Sequence, residues 1–425
     1  MLIVSNIEKD FRKHIFGLQK RGIKDAEVLL KKILKTDEER KIIQRRLDAI
    51  LHESNSISKE IGQLFQQGKK KEAEIAKTKT NNLKKESKKL NDELQNKETK
   101  LASLLHDIPN IPNEIVPAGQ SEKDNEVIKV ADRAIPKLQN SKPHWELIEE
   151  YDIVDFDLGN KVTGAGFPFY KGKGARLVRG MINYFLDKAV EAGYLEVQPP
   201  VVINEASGFG TGQLPDKEGQ MYHMEVNNLY LIPTAEVPIT NMYRDTILRH
   251  DDLPIKNTGH TPCFRKEAGS WGSHVRGLNR LHQFDKVEIV HIVAPEKSYE
   301  VLDEMVIYVE SLIASLNLPY RILRLCAGDL GFASALTYDF EVFSAAQKKW
   351  LEVSSVSNFE TYQANRLKLR IKDGDGKKVL AHTLNGSALA LPRILAAILE
   401  NNQEEDSIKM PEVLVPYLGF KEIKK

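Results

Sequence analysis

Mostly apolar side chains in the first quarter of the chain recur at alternating steps of four and three residues, with a few polar ones at the same spacing. The positions are Ile43, Leu47, Ile50, Ser54, Ile57, Ile61 and Leu64, and, after an interruption, Ala76, Thr80, Leu83, Ser87, Leu90, Leu94, Lys97, Leu101 and Leu104. This spacing predicts the seam of a coiled coil. Gly68 lies in the interruption, so a hairpin of two antiparallel helices is favoured over a coiled coil between two chains.

The pattern changes after this helical part. The stretch 107–126 is rich in proline and polar residues and is predicted to link two domains. From about residue 130, helices are predicted at 174–192, 296–316 and 387–402. Between them lie the β-branched or aromatic runs YLIPT, LHQFDKVEIV, YRILRLC, YDFEVF and WLEVSS. Because strands outnumber helices, the pattern predicts an α+β fold in which an antiparallel sheet flanked by helices follows the coiled-coil hairpin.

Length and charge add to this picture. A chain of 425 residues with 41% hydrophobic residues is expected to form two or three domains. Residues 1–100 contain 25 Lys and Arg against 16 Asp and Glu, a balance of +9, and the remaining 36 and 44 give residues 101–425 a balance of −8. The basic excess of the hairpin suits either a polyanionic partner or an ordinary solvated helical face.

Cysteine content indicates a reducing compartment, and hydropathy argues against a membrane span. The two cysteines, Cys263 and Cys326, are far apart and lack metal-ligand spacing, which argues against a disulfide scaffold. No apolar run reaches about 18 residues, and the N-terminal one is too short for a signal peptide. We therefore expect a cytoplasmic protein without a membrane span.

Charged side chains concentrate in FRKEAGSWGSHVRGLNRLHQFDKVEIV, residues 264–290. Because residues two apart in a strand share a face, Arg265 and Glu267 are predicted to point together. The same holds for the run Arg280, His282, Phe284, Lys286 and Glu288. Arginine binds phosphate, an aromatic ring stacks on a base, and a glutamate accepts from an ammonium group. Such a face suits a nucleotide beside an amino acid; the alternative is a surface hairpin with many salt bridges.

Three further segments carry candidate chemistry. LIPTAEVPIT is predicted to set Thr234 and Glu236 on one face of a short strand. WLEVSSVSN is predicted to set Glu352 and Ser354 on one face with Ser355 behind, a carboxylate and hydroxyl set of the kind that binds magnesium. HTLNGSALALPRILAAILENNQ is predicted to be a strand, a glycine turn and a helix, with Arg393 near the helix start to close over a phosphate.

Each of these three segments also has an ordinary interpretation. An edge strand with a solvated glutamate, a polar strand end and a solvent-facing arginine would give the same patterns. No Walker or Rossmann glycine loop is present, so a nucleotide is not held in either of those ways.

Taken together, these motifs make the whole chain resemble the bacterial-type seryl-tRNA synthetases, a family of class II aminoacyl-tRNA synthetases. The resemblance is carried by TAEVP, CFRKEAG, RGLNRLHQFDKVE, CAGDLGF, TYDFEV, EVSSVSN and HTLNGSALALPR, and by the heptad hairpin. The three class motifs map onto about 174–200, 264–288 and 386–393. The first, which ends at Pro199 and Pro200, builds the dimer interface in the family.

The resemblance implies a tRNA-binding helical arm at 1–110, with its tip near 66–71, and a catalytic aminoacylation domain at 111–425. The implied reaction activates L-serine with ATP and Mg²⁺ to seryl-adenylate and transfers the seryl group to the 3′ end of serine tRNA. A homodimer is also implied. Whether a selenocysteine tRNA is charged as well is left open by the sequence.

The resemblance also assigns residues to roles. The implied ATP site is Arg265, Lys266, Glu267, Arg280, Leu281, Phe284, Glu352, Val353, Ser354, Ser355 and Arg393. The implied serine pocket is Thr234, Ala235, Glu236, Arg265, Glu288, Asn385 and Ser387. Glu352 and Ser355 are the implied Mg²⁺ ligands. Arg265, Glu352 and Arg393 carry the implied catalytic roles.

A difference from the family pattern and three alternative functions bear on this interpretation. Val356 and Phe359 replace cysteines that are common in the family, so no structural zinc is expected. A ligase that charges a carrier protein would lack the basic arm. A catalytically inactive RNA-binding relative would be expected to lose Arg265, Glu352 or Arg393. A class II enzyme for another amino acid, such as threonine or proline, is disfavoured by the Thr234, Glu236 and Glu288 set.

Overall fold

The computed structural model describes residues 1–136, 140–268, 276–372 and 375–425. The chain divides into two compact units, Met1–Pro109 and Asn110–Lys425. Within the described residues, no helix is both long enough and apolar enough to cross a membrane.

The first unit is helical. Its helices are α1 (Val4–Lys9), α2 (Phe11–Lys20), α3 (Ala26–Gln66) and α4 (Lys70–His106). Ion pairs Glu39–Lys97, Arg46–Glu86 and Glu53–Lys79 join the two long helices. Along these three ion pairs the residue numbers rise in α3 and fall in α4, so the two helices run antiparallel. The turn between them contains Gly68 at φ +76°, a conformation that glycine adopts without steric cost.

The heptad seam predicted from the sequence is confirmed. Every seam position in α3 and α4 is buried or half-buried. Leu47 and Ile50 pack with Leu90 and Leu94 in one apolar cluster. At the end of α4, Leu105 is buried, whereas Leu104, the predicted seam position, is only half-buried. The pattern drifts there because 3.6 residues per turn does not match a strict seven-residue repeat.

The second unit contains nine helices and eighteen strands among its described residues. The helices are α5 (His144–Glu150), α6 (Phe156–Val162), α7 (Gly172–Glu191), α8 (Glu205–Thr211), α9 (Glu236–Asn241), α10 (Ser298–Ser315), α11 (Thr361–Leu367), α12 (Leu391–Asn401) and α13 (Val415–Leu418). The strands are β1 (Glu126–Val130), β2 (Val154–Asp155), β3 (Phe169–Tyr170), β4 (Leu195–Glu196), β5 (Val202–Asn204), β6 (His223–Met224), β7 (Leu229–Leu231), β8 (Ile247–Arg249), β9 (Ile255–Phe264), β10 (Gln283–Val293), β11 (Tyr320–Arg324), β12 (Leu336–Ser344), β13 (Lys349–Asn358), β14 (Arg370–Lys372), β15 (Lys378–Leu380), β16 (His382–Ala390), β17 (Ser407–Lys409) and β18 (Glu422–Lys424).

An eight-stranded sheet organises this unit. Its order is β1-β11-β12-β13-β16-β10-β9-β4, and every neighbouring pair is antiparallel except β4 with β9. Helices α7, α10 and α12 bury Phe185, Met305 and Ile398 in the same core as Ile289 and Phe340 of the sheet. The predicted α+β fold, in which a helical hairpin precedes an antiparallel sheet flanked by helices along the chain, is therefore confirmed.

The proline-rich stretch 107–126 is more than a connector. From Asn110 onward it belongs to the second unit. The Asn110 side chain is buried and donates to the carbonyl oxygens of Ala333 (3.0 Å) and Phe359 (2.9 Å). Val116 is buried in the main core. The boundary between the two units lies inside the predicted linker, after Pro109. The rest of the stretch packs in the second unit, because prolines break helices and strands but do not prevent an irregular segment from packing.

The third class motif also differs from its prediction. Gly386 forms no turn but lies within β16, opposite Ile289 on one side and Val356 on the other. A Cβ at Gly386 would lie 3.1 Å from the Val356 side chain, so a small residue suits this crossing of three strands. The strand continues to Ala390 and the helix begins at Leu391 rather than at 387, with Pro392 in its first turn.

Candidate active site

The second class motif forms most of one antiparallel hairpin. Phe264 at the end of β9 faces Gln283 at the start of β10. The predicted strand face shared by Arg265 and Glu267 is wrong, because β9 ends at Phe264 and Glu267 has a positive φ of +49°. Glu267 instead forms an ion pair with Arg280 (3.1 Å). The glycine-rich loop of this motif, residues 269–275, lies outside the described residues.

Arg265 lies beside the Phe284 ring and the segment that leads into Thr234. Its guanidinium carbon is 5.3 Å from the centre of the Phe284 ring, and its Nε donates to the Pro233 carbonyl oxygen (3.3 Å). It also interacts electrostatically with the buried Glu236 and Glu288. One guanidinium is thus next to an aromatic ring and within electrostatic range of two buried carboxylates.

The remaining candidate base-binding residues surround this hairpin. Phe284 is half-buried and Leu281 is buried in the core. Lys266 is exposed, and its ammonium lies 5.9 Å from the centre of the Tyr222 ring. Phe284 therefore offers a partly open aromatic ring and packs against the core cluster that contains Leu281.

Three polar side chains contact Glu288 directly. Thr234 Oγ1 donates to Glu288 Oε2 (3.1 Å), and Asn385 Nδ2 donates to Glu288 Oε1 (3.1 Å). Lys286 forms an ion pair with Glu288, and its Nζ donates to Thr234 Oγ1 (2.9 Å). Ser387 of β16 faces Glu288 across the sheet. Burial raises the pKa of Glu288, and the neighbouring Lys286 ammonium opposes this rise.

Glu236 lies in a second buried position of the same pocket. Gln363 Nε2 donates to Glu236 Oε1 (2.6 Å), and Glu236 is 6% exposed. Burial and, to a lesser extent, the like charge of Glu288 raise the pKa of Glu236 to about 7. Gln363 is itself held on both sides. Thr383 Oγ1 donates to Gln363 Oε1 (2.7 Å), and Gln363 Nε2 donates to the Thr211 carbonyl oxygen (3.1 Å).

Thr234 and Glu236 are close for a different reason from the predicted one. Glu236 begins the short helix α9, and Thr234 precedes that helix. The Glu236 backbone N–H donates to Thr234 Oγ1 (3.2 Å). The prediction of a shared strand face is therefore wrong, although the two side chains meet at one pocket. Ala235 between them is completely buried.

A bulge in β13 arranges the predicted magnesium ligands. Phe340 of β12 faces Ser354, whereas the next residue, Glu341, faces Glu352, so Val353 is an extra residue on β13. The extra residue reverses the alternation of side chains. Ser354 is buried and its Oγ donates to the Ser387 carbonyl (2.6 Å), whereas Glu352 is exposed. The prediction that Glu352 and Ser354 share a face is wrong.

The same bulge brings Ser355 to the side of Glu352. Asp339 faces Ser355 across the two strands, accepts a hydrogen bond from its hydroxyl group and interacts with the Glu352 charge. Asp339 Oδ1 is buried and has no hydrogen-bond partner among the described residues. Glu352, Ser355 and Asp339 thus form an oxygen-rich corner of the type that suits a small divalent cation.

Arg393 connects this corner to the second motif. Its Nη1 donates to the Glu352 carbonyl oxygen (2.7 Å) and lies 3.7 Å from Glu352 Oε2. Its Nε donates to the carbonyl oxygen of Asn279 (3.0 Å), the residue before Arg280. The two arginines predicted for one end of ATP therefore come from neighbouring segments, one from a helix and one from a turn.

Three side chains of this region were missed by sequence reasoning as site residues. Lys286 was noted in the alternating run but given no role, although its position two residues before Glu288 was a usable signal. Asp339 lies in TYDFEV, directly opposite a predicted metal ligand, but strand pairing is not readable from one sequence. Gln363 lies on the separate helix α11, and no local pattern predicts its contact with Glu236.

Family comparisons cover both units. A family model described as "Seryl-tRNA synthetase N-terminal domain" matches residues 1–112. A second, "tRNA synthetase class II core domain (G, H, P, S and T)", matches residues 222–402. Among curated proteins, the serine–tRNA ligase of Salinibacter ruber is 48% identical over 425 residues, covering 100% of this chain and 99% of that protein. The one from Carboxydothermus hydrogenoformans is 46% identical and both chains are covered completely.

Solved structures agree with these relatives. The seryl-tRNA synthetase from Pyrococcus horikoshii complexed with ATP superposes with a TM-score of 0.91 at 34% identity, covering 100% of this chain and 99% of that one. The cytoplasmic serine–tRNA ligase from Naegleria fowleri in complex with AMP gives a TM-score of 0.84 at 27% identity, covering 97% and 95%.

Proposed function

The chain belongs to the seryl-tRNA synthetase family, and on that premise we propose that its catalytic unit divides the reaction between an ATP site and an adjoining serine pocket. The protein is an ATP-dependent ligase that activates serine and charges tRNA with it. The strongest support for two adjoining sites is the position of Arg265 between the Phe284 ring and the pocket of Thr234 and Glu288.

In the activation step, the serine carboxylate attacks the α-phosphorus of ATP in line with the departing pyrophosphate. Arg265 binds the α-phosphate and the serine carboxylate and so brings the two reactants together. Arg280 and Arg393 bind the γ-phosphate end and neutralise charge on the leaving group. Glu267 contacts the adenine while Phe284 stacks on it. Because the substrate carboxylate is the nucleophile, the protein needs no nucleophile of its own.

Serine is selected by paired polar groups. Glu236, Glu288 and Thr234 offer acceptors for the ammonium group and the hydroxyl group of the substrate, and Asn385 and Ser387 lie beside them. Alanine lacks the hydroxyl and would leave buried polar groups unpaired, which costs binding free energy. Threonine adds a methyl group, and rejecting one by shape alone contributes only about 1–3 kcal/mol.

Glu352 and Ser355 are the proposed protein ligands of Mg²⁺. Magnesium is commonly held by one or two protein oxygens together with substrate phosphates, and the oxygen-rich corner at the β13 bulge fits that donor set. The unpartnered, buried Asp339 Oδ1 supports a cation nearby. When bound, Mg²⁺ would supply positive charge to the phosphates. Glu352 and Ser355 would hold it.

The helical arm of α3 and α4 is the proposed tRNA-binding element. Lys84, Lys85, Lys88 and Lys89 are all exposed along one stretch of α4. Such a surface binds a phosphate backbone through its charge, and RNA helices are recognised largely by shape and backbone. The arm therefore supplies affinity for tRNA, while the catalytic unit acts on its 3′ end.

We also propose a homodimer and a cytoplasmic location. The first class motif comprises α7 and the edge strand β4, where Val190 is 49% and Leu195 is 64% exposed. Apolar side chains at a sheet edge are suitable for an interface between two copies. Charged tRNA is consumed by the ribosome, so the reaction belongs in the compartment of translation.

A charging assay with an Arg265 variant tests this function. Wild-type protein is expected to convert serine, ATP and serine tRNA into seryl-tRNA and AMP. Arg265→Ala is expected to lose at least about 100-fold in the serine-activation rate, because charge neutralisation at the α-phosphate is lost. Arg249→Ala is the matched control, since Arg249 is an exposed arginine paired with Asp252. Equal activity of Arg265→Ala and the control would contradict the proposed role.

A further inference from the structure

A closed ring of hydrogen bonds between buried and half-buried groups lies next to the phosphate end of the proposed ATP site. It joins α5, the turn 277–279, the β12–β13 connection and α12. The members are His144, Glu400, Gln347, Asn279 and the backbone of Leu278. His144 and Glu400 are fully buried titratable residues with no role in the proposed reaction.

His144 and Glu400 form the centre of the ring. His144 Nδ1 lies 2.7 Å from Glu400 Oε1, and the His144 backbone N–H donates to the same oxygen (2.9 Å). The Leu278 N–H donates to His144 Nε2 (2.8 Å). Because Nε2 accepts, the imidazole is the neutral tautomer with its proton on Nδ1, which donates to Glu400. Burial disfavours the ionised Glu400, but hydrogen bonds from His144 and Ser344 outweigh it and lower the Glu400 pKa.

Gln347 and Asn279 close the ring. Gln347 Nε2 donates to Glu400 Oε1 (2.7 Å), and Asn279 Nδ2 donates to Gln347 Oε1 (3.0 Å). Asn279 directly follows Leu278, whose N–H contacts His144. Each member is therefore restrained from two sides, and a change in one alters the position of the turn 277–279.

Both proposed γ-phosphate arginines are attached to this ring. Arg280 follows Asn279 in the chain, and Arg393 Nε donates to the Asn279 carbonyl oxygen (3.0 Å). Arg393 also lies on the same helix as Glu400, seven residues and about two turns earlier. The ring therefore fixes the turn that carries Arg280 relative to the helix that carries Arg393.

We propose that His144, Glu400 and Gln347 are positioning residues that hold Arg280 and Arg393 at the spacing required by the leaving pyrophosphate of ATP. This inference rests on the proposed function, in which these two arginines bind the γ-phosphate end. A ring that served only to stabilise the core would affect unfolding but would not distinguish one substrate from the other. Positioning predicts a selective defect at the phosphate end.

Glu400→Gln is the direct test, because it keeps the shape of the side chain and removes the charge. The ring donors, the His144 N–H, His144 Nδ1 and Gln347 Nε2, all converge on Glu400 Oε1, so the amide keeps an acceptor but loses the negative charge that strengthens these hydrogen bonds. The ring is therefore weakened, and the new amide N–H₂ group faces the Ser344 hydroxyl group, which donates to Oε2 in the wild type. In serine-dependent ATP–pyrophosphate exchange, we expect the KM values for ATP and for pyrophosphate to rise roughly tenfold, since small misplacements of binding groups are costly. The KM for serine is expected to stay within about twofold.

Two further variants keep the test decisive. Gln347→Met opens the ring at a half-buried position and is expected to fold even if Glu400→Gln does not; its KM for ATP and pyrophosphate should rise in the same direction. His291→Gln is the matched control, because His291 is a buried histidine of β10 whose Nε2 contacts the Tyr194 hydroxyl (2.8 Å). It is expected to lower the unfolding midpoint without changing the KM for ATP.

Arg393→Ala, measured in the same assay, distinguishes the proposed phosphate-binding role of Arg393 from the positioning role of the ring. If Arg393→Ala raises the KM for ATP and the two ring variants do not, the positioning role is overturned and the phosphate role stands. If Arg393→Ala also leaves the KM for ATP unchanged, the proposed ATP site itself is wrong and the positioning role falls with it. A rise in the KM for serine equal to that for ATP would also overturn positioning and indicate a general structural role.

Discussion

Glu236 and Glu288 illustrate how much of the proposed serine pocket is determined by single side chains. Both are buried, and their partners differ. Glu288 has the ammonium of Lys286 beside it, whereas Glu236 has the neutral amide of Gln363. A buried carboxylate without a cationic partner favours its protonated form. The two glutamates of one pocket therefore respond differently to pH and to mutation.

Serine binding is predicted to weaken as pH falls through about 7. Burial raises the pKa of Glu236 to about 7, so the carboxylate form is lost as pH decreases across this value. The substrate ammonium group requires the carboxylate, so kcat/KM for serine should fall about tenfold from pH 8 to pH 6. Steady-state exchange across this range measures it. Glu236→Gln should flatten the profile, and an unchanged profile in that variant would contradict the assignment.

Replacing Lys286 is predicted to destabilise the protein more than replacing a lysine at the surface. Lys286→Met leaves Glu288 buried without its cation, and breaking a buried ion pair in this way costs about 3–5 kcal/mol of stability. Denaturant unfolding of the variant measures the loss. Lys256→Met is a suitable control, because Lys256 is partly exposed and lies near the surface residue Glu304. Similar stability of the two variants would refute a structural role for the Lys286–Glu288 pair.

At the scale of elements, the β13 bulge determines which hydroxyl group joins Glu352. A regular strand would place Ser354 on that side, and the extra residue Val353 places Ser355 there instead. Strand alternation is readable from sequence, but a bulge depends on the register with the neighbouring strand. For this reason Ser355, the proposed ligand, follows from the resemblance to the family and not from strand periodicity.

Ser355→Ala and Ser354→Ala are predicted to have separable effects. Ser355→Ala should raise the Mg²⁺ concentration needed for half-maximal exchange several-fold, because an oxygen ligand is lost. Ser354→Ala removes a buried hydrogen bond to the Ser387 carbonyl and should lower stability by about 1 kcal/mol. Magnesium titrations and thermal unfolding of both variants distinguish them. The opposite assignment of the two effects would show that the bulge does not set the ligand.

The parts of the fold that sequence predicts well are those with long, regular periodicity. The heptads of α3 and α4, the helices α7 and α10 and the strands β10 to β13 all follow from their patterns. The failures fall where tertiary contacts override local signals. Gly386 was interpreted as a turn but lies within β16, where Val356 leaves little space for a side chain. Likewise, β9 ends at Phe264, so Glu267 meets Arg280 through the turn geometry rather than through strand alternation.

At the scale of the whole molecule, the two units are expected to contribute separately to the reaction. The basic excess lies in the helical unit, and the candidate catalytic side chains lie in the unit Asn110–Lys425. Activation of serine needs only ATP and the amino acid, while charging also needs affinity for tRNA. Changes in the arm should therefore affect the second step selectively.

Neutralising the lysine stretch of α4 tests this separation. Replacing Lys84, Lys85, Lys88 and Lys89 by Gln should raise the KM for tRNA and make it less sensitive to salt, since each lost phosphate contact lowers the slope against log salt by about 0.7–0.9. Exchange without tRNA should remain within about twofold. A variant with Lys297 and Lys368 replaced, two exposed lysines of the catalytic unit, is the control. An unchanged KM for tRNA would argue against RNA binding by this surface.

The most direct test of the central claim is serine-dependent ATP–pyrophosphate exchange by the intact protein without tRNA, with threonine, alanine and glycine measured in parallel. The ATP site and serine pocket described above predict strong exchange with serine. They predict much weaker exchange with threonine and essentially none with alanine or glycine, because those two leave the polar pocket unpaired. No exchange with any of the four amino acids, or equal exchange with serine and alanine, would contradict the account.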